Sequence, residues 1–258
     1  MRIHPMKLAR AVAYGWLLPR RRHCIACGRG VGGFLPYRNG SASLSDAIRA
    51  LDVSGSDVDN FECPRCGAND RLRHLLMYMG KVGLFERIKG ARVLHFAPEK
   101  ALAERIRQAG PARYVLADIA PPGPEVERVD MTAMAFEAES FEVIIANHVL
   151  EHVGDLPAAL SELNRVLAPG GVAILQTPFS QRLLTTFEDA GINTDDARLV
   201  LYGQEDHVRM FGSDIAAYIA GLSGLRSKAS THAEILPDID PWAAGVNAAE
   251  PLLLFAKD

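Results

Sequence analysis

Residues 141–176 read FEVIIANHVLEHVGDLPAALSELNRVLAPGGVAILQ, and this stretch decides the fold. Phe141-Glu-Val-Ile-Ile-Ala146 is a short apolar run of strand length. Leu156 to Leu167 has the apolar spacing of an amphipathic helix, which Pro169-Gly170-Gly171 ends. Val172-Ala-Ile-Leu-Gln176 is apolar again and reads as the next strand. Two buried strands joined by one helix predict a parallel sheet with helices on its faces.

The alternation continues in both directions. Ala91 to Ala97 is a strand; Pro98 fits a first helical turn, and Glu99 to Gln108 runs as a helix to Gly110. Tyr114 to Asp118 and Val126 to Asp130 are further strands. After a helix over Phe211 to Leu222, strands near Leu225 to Thr231 and at Leu252 to Ala256 close the chain. The expectation is an α/β fold, a doubly wound, mainly parallel seven-stranded sheet. Arg71 to Val82 is a helix with Leu72, Leu75, Leu76 and Met79 on one side.

The 258 residues are 48% hydrophobic and 23% charged, enough to bury a core and too ordered in composition for a disordered or collagen-like chain. The apolar patch from Leu8 to Leu18 is broken by Arg10 and followed by Pro19 and three arginines. It reads as neither a membrane span nor a signal peptide, so a cytoplasmic location without membrane contact is expected. The net charge of −3 is unevenly placed. Residues 1–90 hold 15 Lys and Arg against 7 Asp and Glu, whereas residues 91–258 hold 13 against 24. The basic part either faces an anionic partner or is simply solvated.

All four cysteines lie in that basic part, as Cys24-x-x-Cys27 and Cys63-x-x-Cys66, each pair followed by glycine (Gly28, Gly67). Two such knuckles make a four-thiolate set that suits a structural zinc ion. Two disulfides or unpaired thiols are the alternative. The 35 residues between the pairs (28–62) are rich in Gly, Ser and Asp and read as a surface insertion. The expected organisation is an N-terminal helix and zinc-ribbon module over 1–85, then an α/β domain over 86–258.

Ligands of such sheets bind beyond the carboxyl ends of the strands. Those ends are His95-Phe96-Ala97-Pro98-Glu99, Asp118-Ile119, Asp130-Met131 and Asn147-His148. Asp118 lies 21 residues after Ala97, the separation at which a carboxylate meets a ribose. An Asp there can equally be a turn residue.

Leu167-Ala-Pro-Gly-Gly-Val172 resembles the L-x-P-G-G element of class I S-adenosylmethionine-dependent methyltransferases, and Phe141 to Val153 is similar to their fourth strand and the helix after it. The resemblance covers about residues 91–179. It implies the Rossmann-like methyltransferase fold, S-adenosylmethionine as cofactor, and Asp130-Met131 near adenine. The family's first strand usually ends in D-x-G-x-G-x-G, whereas this chain has His95-Phe-Ala-Pro-Glu-Lys-Ala101 without glycine. In this respect it resembles a subgroup with an H-x-A-P-E first motif. Ala97 takes the place of a glycine, and Glu99 is available for the cofactor's amino-acid end. The missing glycines argue against a nicotinamide dinucleotide, whose pyrophosphate needs them.

His148, Glu151 and His152 are spaced i, i+3, i+4, on one face if a helix begins there. With His207 as a fourth group they form a candidate set for a second divalent metal. The pattern is similar to the Glu-x-x-Glu-His plus His of small-RNA 2′-O-methyltransferases and to some catechol-type enzymes. Three histidines and one glutamate suit Zn²⁺, Mn²⁺ or Fe²⁺ better than Mg²⁺. His152 as a base, or mere packing, stays open beside the metal. His207 is also a candidate base and Arg209 the candidate anion clamp for the acceptor, with surface residues of no role as the alternative. Arg71, with Arg73 and His74, either reaches the same cleft or decorates a helix joining the modules.

The acceptor admits three readings. The first is O-methylation of a small molecule or saccharide. The second is RNA methylation with the basic ribbon on the backbone, disfavoured by the few aromatics and the mildly acidic chain. The third is a non-catalytic adaptor, which has no use for Asp118, Asp130 and the His/Glu cluster.

Overall fold

Strands buried on both faces carry apolar residues without alternation, and the centre of the larger unit is built from two of them. In the computed structural model, which describes residues 5–258, seven strands form one sheet. They are β1 (Arg92–Phe96), β2 (Arg113–Asp118), β3 (Glu127–Arg128), β4 (Phe141–Ala146), β5 (Leu167–Ile174), β6 (Arg226–Ser227) and β7 (Leu254–Ala256). Their order is β6-β7-β5-β4-β1-β2-β3. β1 to β5 pair in parallel, and β7 runs antiparallel to both β5 and β6. β1 and β4 pair from Val93 with Val143 to Phe96 with Ala146. Leu94, Phe96, Phe141 and Ile144 on these strands pack with Leu160 and Leu163 of the helix Leu156–Val166 in one buried cluster.

The strands expected at 126–130, 225–231 and 252–256 shorten to Glu127–Arg128, Arg226–Ser227 and Leu254–Ala256, and two further boundaries differ for a clear physical reason. β5 begins at Leu167 and passes through Pro169-Gly170-Gly171, with a register shift against β4 between Phe141 and Val143. Gly170 takes φ +70°, and a Cβ on Gly171 would stand 2.7 Å from the Ala168 carbonyl oxygen, so the glycines let the strand bend instead of merely stopping the helix. The helix expected from Phe211 starts at Ile215, because Phe211 is buried in a parallel bridge to Phe179.

The units are not divided at residue 85. The larger comprises Ser45–Ser54, Gly83–Ser230 and Pro251–Asp258; the smaller comprises the described residues up to Leu44, Gly55–Val82 and Thr231–Glu250. Within the larger unit, Val53–Ser54 pairs antiparallel with Phe179–Ser180, and the Ser45 hydroxyl donates to the Val200 carbonyl at 3.0 Å. The segment between the cysteine pairs is therefore no plain surface insertion, and Phe34, Leu35 and Ile48 in it are buried.

Within the smaller unit, the helix Asp70–Lys81 is capped by the Asn69 side chain, which accepts from Leu72 N–H at 2.8 Å. Arg73 and His74 on it do not decorate a surface. The buried Arg73 guanidinium donates to the carbonyls of Phe61 (3.0 Å), Ala68 (2.7 Å), Asn60 (2.8 Å), Ala244 (3.3 Å) and Gly245, and stacks over Phe34. His74 meets His232 at 2.8 Å, and the Tyr78 hydroxyl donates to Glu250 O at 2.8 Å. These bonds fasten residues 231–250 into the first unit, which local periodicity cannot foretell. No helix among the described residues is long and apolar enough to cross a membrane.

Candidate functional site

A thiolate knuckle needs its chain to reverse straight after the second cysteine. Gly28 and Gly67 do this at φ +65° and +75°, and their N–H groups donate to the carbonyls of Cys24 and Cys63, both at 2.9 Å. Added Cβ atoms would meet nothing within 4 Å, so the left-handed backbone, not crowding, demands glycine. The first knuckle sits on the hairpin Arg22–Cys24 with Arg29–Val31. The four cysteines are unpaired by disulfide, and their sulfurs lie within 4.8 Å of one another. Cys24 and Cys66 sulfurs are 3.7 Å apart. Tetrahedral zinc with bonds of about 2.3 Å sets sulfurs about 3.8 Å apart, so the donor set fits that ion. The hydrogen bond from Cys24 holds Cys63 down at about 5 against its burial, while burial pushes Cys66 up to about 11.

In the larger unit the carboxyl ends of β1, β2 and β4, with the segment after β3, open on one cavity of about 720 Å³. Phe96, Ala97, Asp118, Ile119, Asp130, Met131, His148 and His152 line it, so residues from four places in the sequence meet there. Ala97 has φ +46°, the left-handed region that a glycine would take freely. Asp118 Oδ1 accepts from Ala120 N–H (2.8 Å), and Asp130 Oδ1 accepts from Thr132 N–H (2.9 Å) and its hydroxyl (2.7 Å). Both aspartates are thus turn residues and cavity residues at once. The Thr132 bonds hold the Asp130 carboxyl below its usual range.

Four of the expected cofactor residues, His95, Pro98, Glu99 and Asn147, flank this wall without lining it, and the Glu99 side chain is partly exposed. His95 is fully buried, with Nδ1 2.8 Å from the Tyr114 hydroxyl and Nε2 3.1 Å from Glu99 Oε2. Asn147 Nδ2 donates to Glu99 Oε1 at 3.4 Å. Burial pushes the Glu99 carboxyl up, but its hydrogen bond to His95 and the electrostatic pull of that neighbour outweigh it and hold it below its usual range. His95 and Asn147 therefore orient Glu99. Pro98 joins Ala97 to Glu99 at the head of the helix Lys100–Ala109.

No helix begins at His148. Residues 147–153 form turns, and the helix starts at Leu156 behind Asp155, whose Oδ1 accepts from Ala158 N–H at 3.0 Å. His148 takes φ +53°, and its N–H donates to the Gln176 carbonyl at 2.6 Å, which ties the turn to the chain leaving β5. Turn geometry splits the four-member set: Glu151, His152 and His207 offer ligand atoms within 4.8 Å of one another, and His148 is outside that group. His148 Nδ1 is 3.4 Å from Glu151 Oε1. Burial raises the Glu151 carboxyl, but His148, His152 and a 2.7 Å bond from the Thr177 hydroxyl bring it down to about 2. Burial lowers His207.

Arg209, expected as an anion clamp, is turned inward. Its guanidinium donates to Glu188 (2.9 Å) and to the carbonyls of Leu150 (2.6 Å), Gly154 (3.2 Å) and Val153. Arg71 belongs to the smaller unit, half-buried on the helix Asp70–Lys81. Sequence reasoning missed Val149, Val153 and Asp206 of the cavity wall. The first two depend on the turn alone, and Asp206 had the signal of standing beside His207.

The parallel sheet carries, at its strand ends, a cavity walled by four aspartates and two histidines, the place where such sheets bind ligands. Residues 67–215 match the methyltransferase-domain family, and the chain belongs to it. Its class is S-adenosylmethionine-dependent methyltransferase. The chain is 32% identical over 95 residues to the malonyl-[acyl-carrier protein] O-methyltransferase of Halorhodospira halophila, a stretch that is 37% of this chain and 30% of that protein. It thus spans under a third of that relative's length. Among solved structures, an S-adenosylmethionine-dependent methyltransferase from Mesorhizobium loti is similar at 14% identity and TM-score 0.47, over 69% of this chain and 96% of that one. The Burkholderia thailandensis 1,6-didemethyltoxoflavin-N1-methyltransferase, with S-adenosylhomocysteine bound, is similar at 15% identity and TM-score 0.44, over 70% of this chain and 78% of that one.

Proposed function

We propose that the protein transfers the methyl group of S-adenosylmethionine to a hydroxyl of a small molecule or saccharide. The observation that carries this reading is the convergence of Ala97, Asp118, Asp130, His148 and His152 on one cavity of the larger unit. Asp118 is assigned to the ribose, Ile119 and Met131 to the adenine faces, and Glu99, steadied by His95 and Asn147, to the cofactor's ammonium group. The cofactor supplies an activated methyl group on a sulfonium. The chain's own task is to align an acceptor oxygen with it and to take the acceptor's proton. Of the two histidines in the cavity wall, His152 is assigned as proton acceptor, because both ring nitrogens of His148 are buried. His152 Nδ1 is 3.3 Å from both the Asp206 carbonyl and its carboxylate, which fixes the ring with Nε2 free to accept.

In the smaller unit we assign one structural zinc ion to Cys24, Cys27, Cys63 and Cys66, on the sulfur spacing and the glycine-turned knuckles. Calorimetric titration of the zinc-loaded protein with S-adenosylhomocysteine tests the main reading. One site of micromolar affinity is expected. A folded protein with no binding at high ligand concentration would replace it with a non-catalytic adaptor.

A further inference from the structure

Glu151, His152 and His207 come from two segments of the larger unit that the fold holds together tightly. Val208 N–H donates to the Glu151 carbonyl at 2.9 Å. The Arg209 guanidinium binds the carbonyls of Leu150, Val153 and Gly154, on both sides of the turn that carries Glu151 and His152. Neither segment can drift without breaking buried bonds, so the three side chains are preorganised.

The tautomers matter more than the proximity. His207 Nδ1 lies 2.9 Å from the Tyr202 carbonyl oxygen, which can only accept, so Nδ1 carries the proton. Its Nε2 is then a bare lone pair, buried and without a hydrogen-bond partner, on a side chain only 4% exposed. An acceptor buried in that state is costly unless something electrophilic occupies it. His152 is arranged alike, with Nδ1 directed at the Asp206 carbonyl and carboxylate. Glu151 receives the Thr177 hydroxyl on Oε2. Each imidazole thus has an outer partner on Nδ1 that fixes it and leaves Nε2 over, and Glu151 is held by Thr177 on Oε2 and by His148 on Oε1, at 3.4 Å, with lone pairs to spare on both oxygens, the pattern that surrounds metal ligands.

We propose that Glu151, His152 and His207 bind one divalent first-row transition ion, distinct from the thiolate site of the smaller unit. Two imidazoles and one carboxylate select such an ion over Mg²⁺ or Ca²⁺ and leave coordination positions open. Ligand atoms bonded to one tetrahedral ion at about 2.0–2.2 Å lie about 3.3–3.6 Å apart, so the three atoms, all within 4.8 Å of one another, draw together on binding. His152 is also part of the cavity wall, so the ion would be held beside the cavity, where it could polarise an acceptor oxygen. As a ligand, His152 gives its Nε2 lone pair to the ion instead of to the acceptor's proton. The purpose of the ion rests on the methyl-transfer reading; its binding does not.

The test is a titration with Mn²⁺ of the full-length protein brought by mild chelation to one zinc per chain, since Zn²⁺ left on the imidazoles would exclude Mn²⁺ and Mn²⁺ does not displace zinc from thiolates. The loss of the free-ion paramagnetic resonance signal counts bound ions. One Mn²⁺ per chain is expected, with at least tenfold weaker binding in His152→Ala and His207→Ala and unchanged zinc content. Thr177→Val keeps all three ligands and is expected to weaken Mn²⁺ about tenfold by loosening Glu151. No Mn²⁺ bound at millimolar concentration, or equal binding in both histidine variants, overturns the site. S-adenosylhomocysteine titrated into the same samples separates the two readings. Cofactor binding without Mn²⁺ ends the metal site alone, and Mn²⁺ binding without cofactor ends the methyl-transfer reading alone.

Discussion

Ala97→Gly and Ala97→Val together test how a first motif without glycine builds a cofactor wall. Ala97 sits at φ +46° on the rim of the cavity. An alanine there carries about 1–2 kcal/mol of strain between its Cβ and the neighbouring carbonyl. Glycine removes that strain but loses about 0.5–1 kcal/mol more backbone entropy on folding. The net gain expected for Ala97→Gly is about 0.5–1 kcal/mol, a rise in melting temperature of about 1–4 °C for a unit of this size. Valine at the same φ adds a branched Cβ that the left-handed region does not tolerate, at about 1–3 kcal/mol. Its methyls also enter the cavity. Scanning calorimetry gives the stabilities, and titration with S-adenosylhomocysteine gives the affinities. Glycine is expected to leave affinity within about twofold, and valine to reduce it at least tenfold, the equivalent of about 1.4 kcal/mol. A glycine variant as unstable as the valine variant would refute a left-handed Ala97.

Burial, helped by the charge of Glu250, raises Asp70 from 3.8 to about 7. Between those values the native state holds the proton that the unfolded state has lost, so stability falls as pH rises from about 4 to 7, by up to about 4 kcal/mol. Asp70→Asn is expected to flatten that slope in melting temperatures taken across this range, and an unchanged slope would assign it to another group. Cys63→Ser is expected to release the zinc and destabilise the smaller unit; elemental analysis with one zinc still bound would refute the four-thiolate site. Asp118→Ala is expected to weaken S-adenosylhomocysteine by about 1.5–3 kcal/mol, the value of a hydrogen bond to a charged group, and an unaltered affinity in calorimetry would remove Asp118 from the ribose.

Much of the larger unit is legible in the sequence because its information is local. The apolar runs at β1, β2 and β4 need both faces covered, and that need is written in consecutive residues. Strand ends then point to Ala97, Asp118 and Asp130 without any knowledge of contacts, since a parallel sheet presents all its carboxyl ends on one side. The helix expected at His148 does not form, because i, i+3, i+4 spacing is blind to a single left-handed residue. The bond from His148 N–H to Gln176 O forms across 28 positions of chain and redirects the backbone.

The sequence by itself determined the parallel sheet, the two cysteine knuckles and the side of the sheet where the cavity opens, because periodicity, pair spacing and strand direction are properties of neighbouring residues. Only the tertiary structure decided what the polar groups do. Arg209 became a strut because three carbonyls of a distant turn needed a donor. His207 kept a free nitrogen because Tyr202 took the proton on the other. Residues 231–250 joined the first unit because Arg73 found carbonyl partners there. A buried donor or acceptor must find a partner wherever the fold supplies one, and that partner is a matter of three-dimensional proximity that no local pattern encodes.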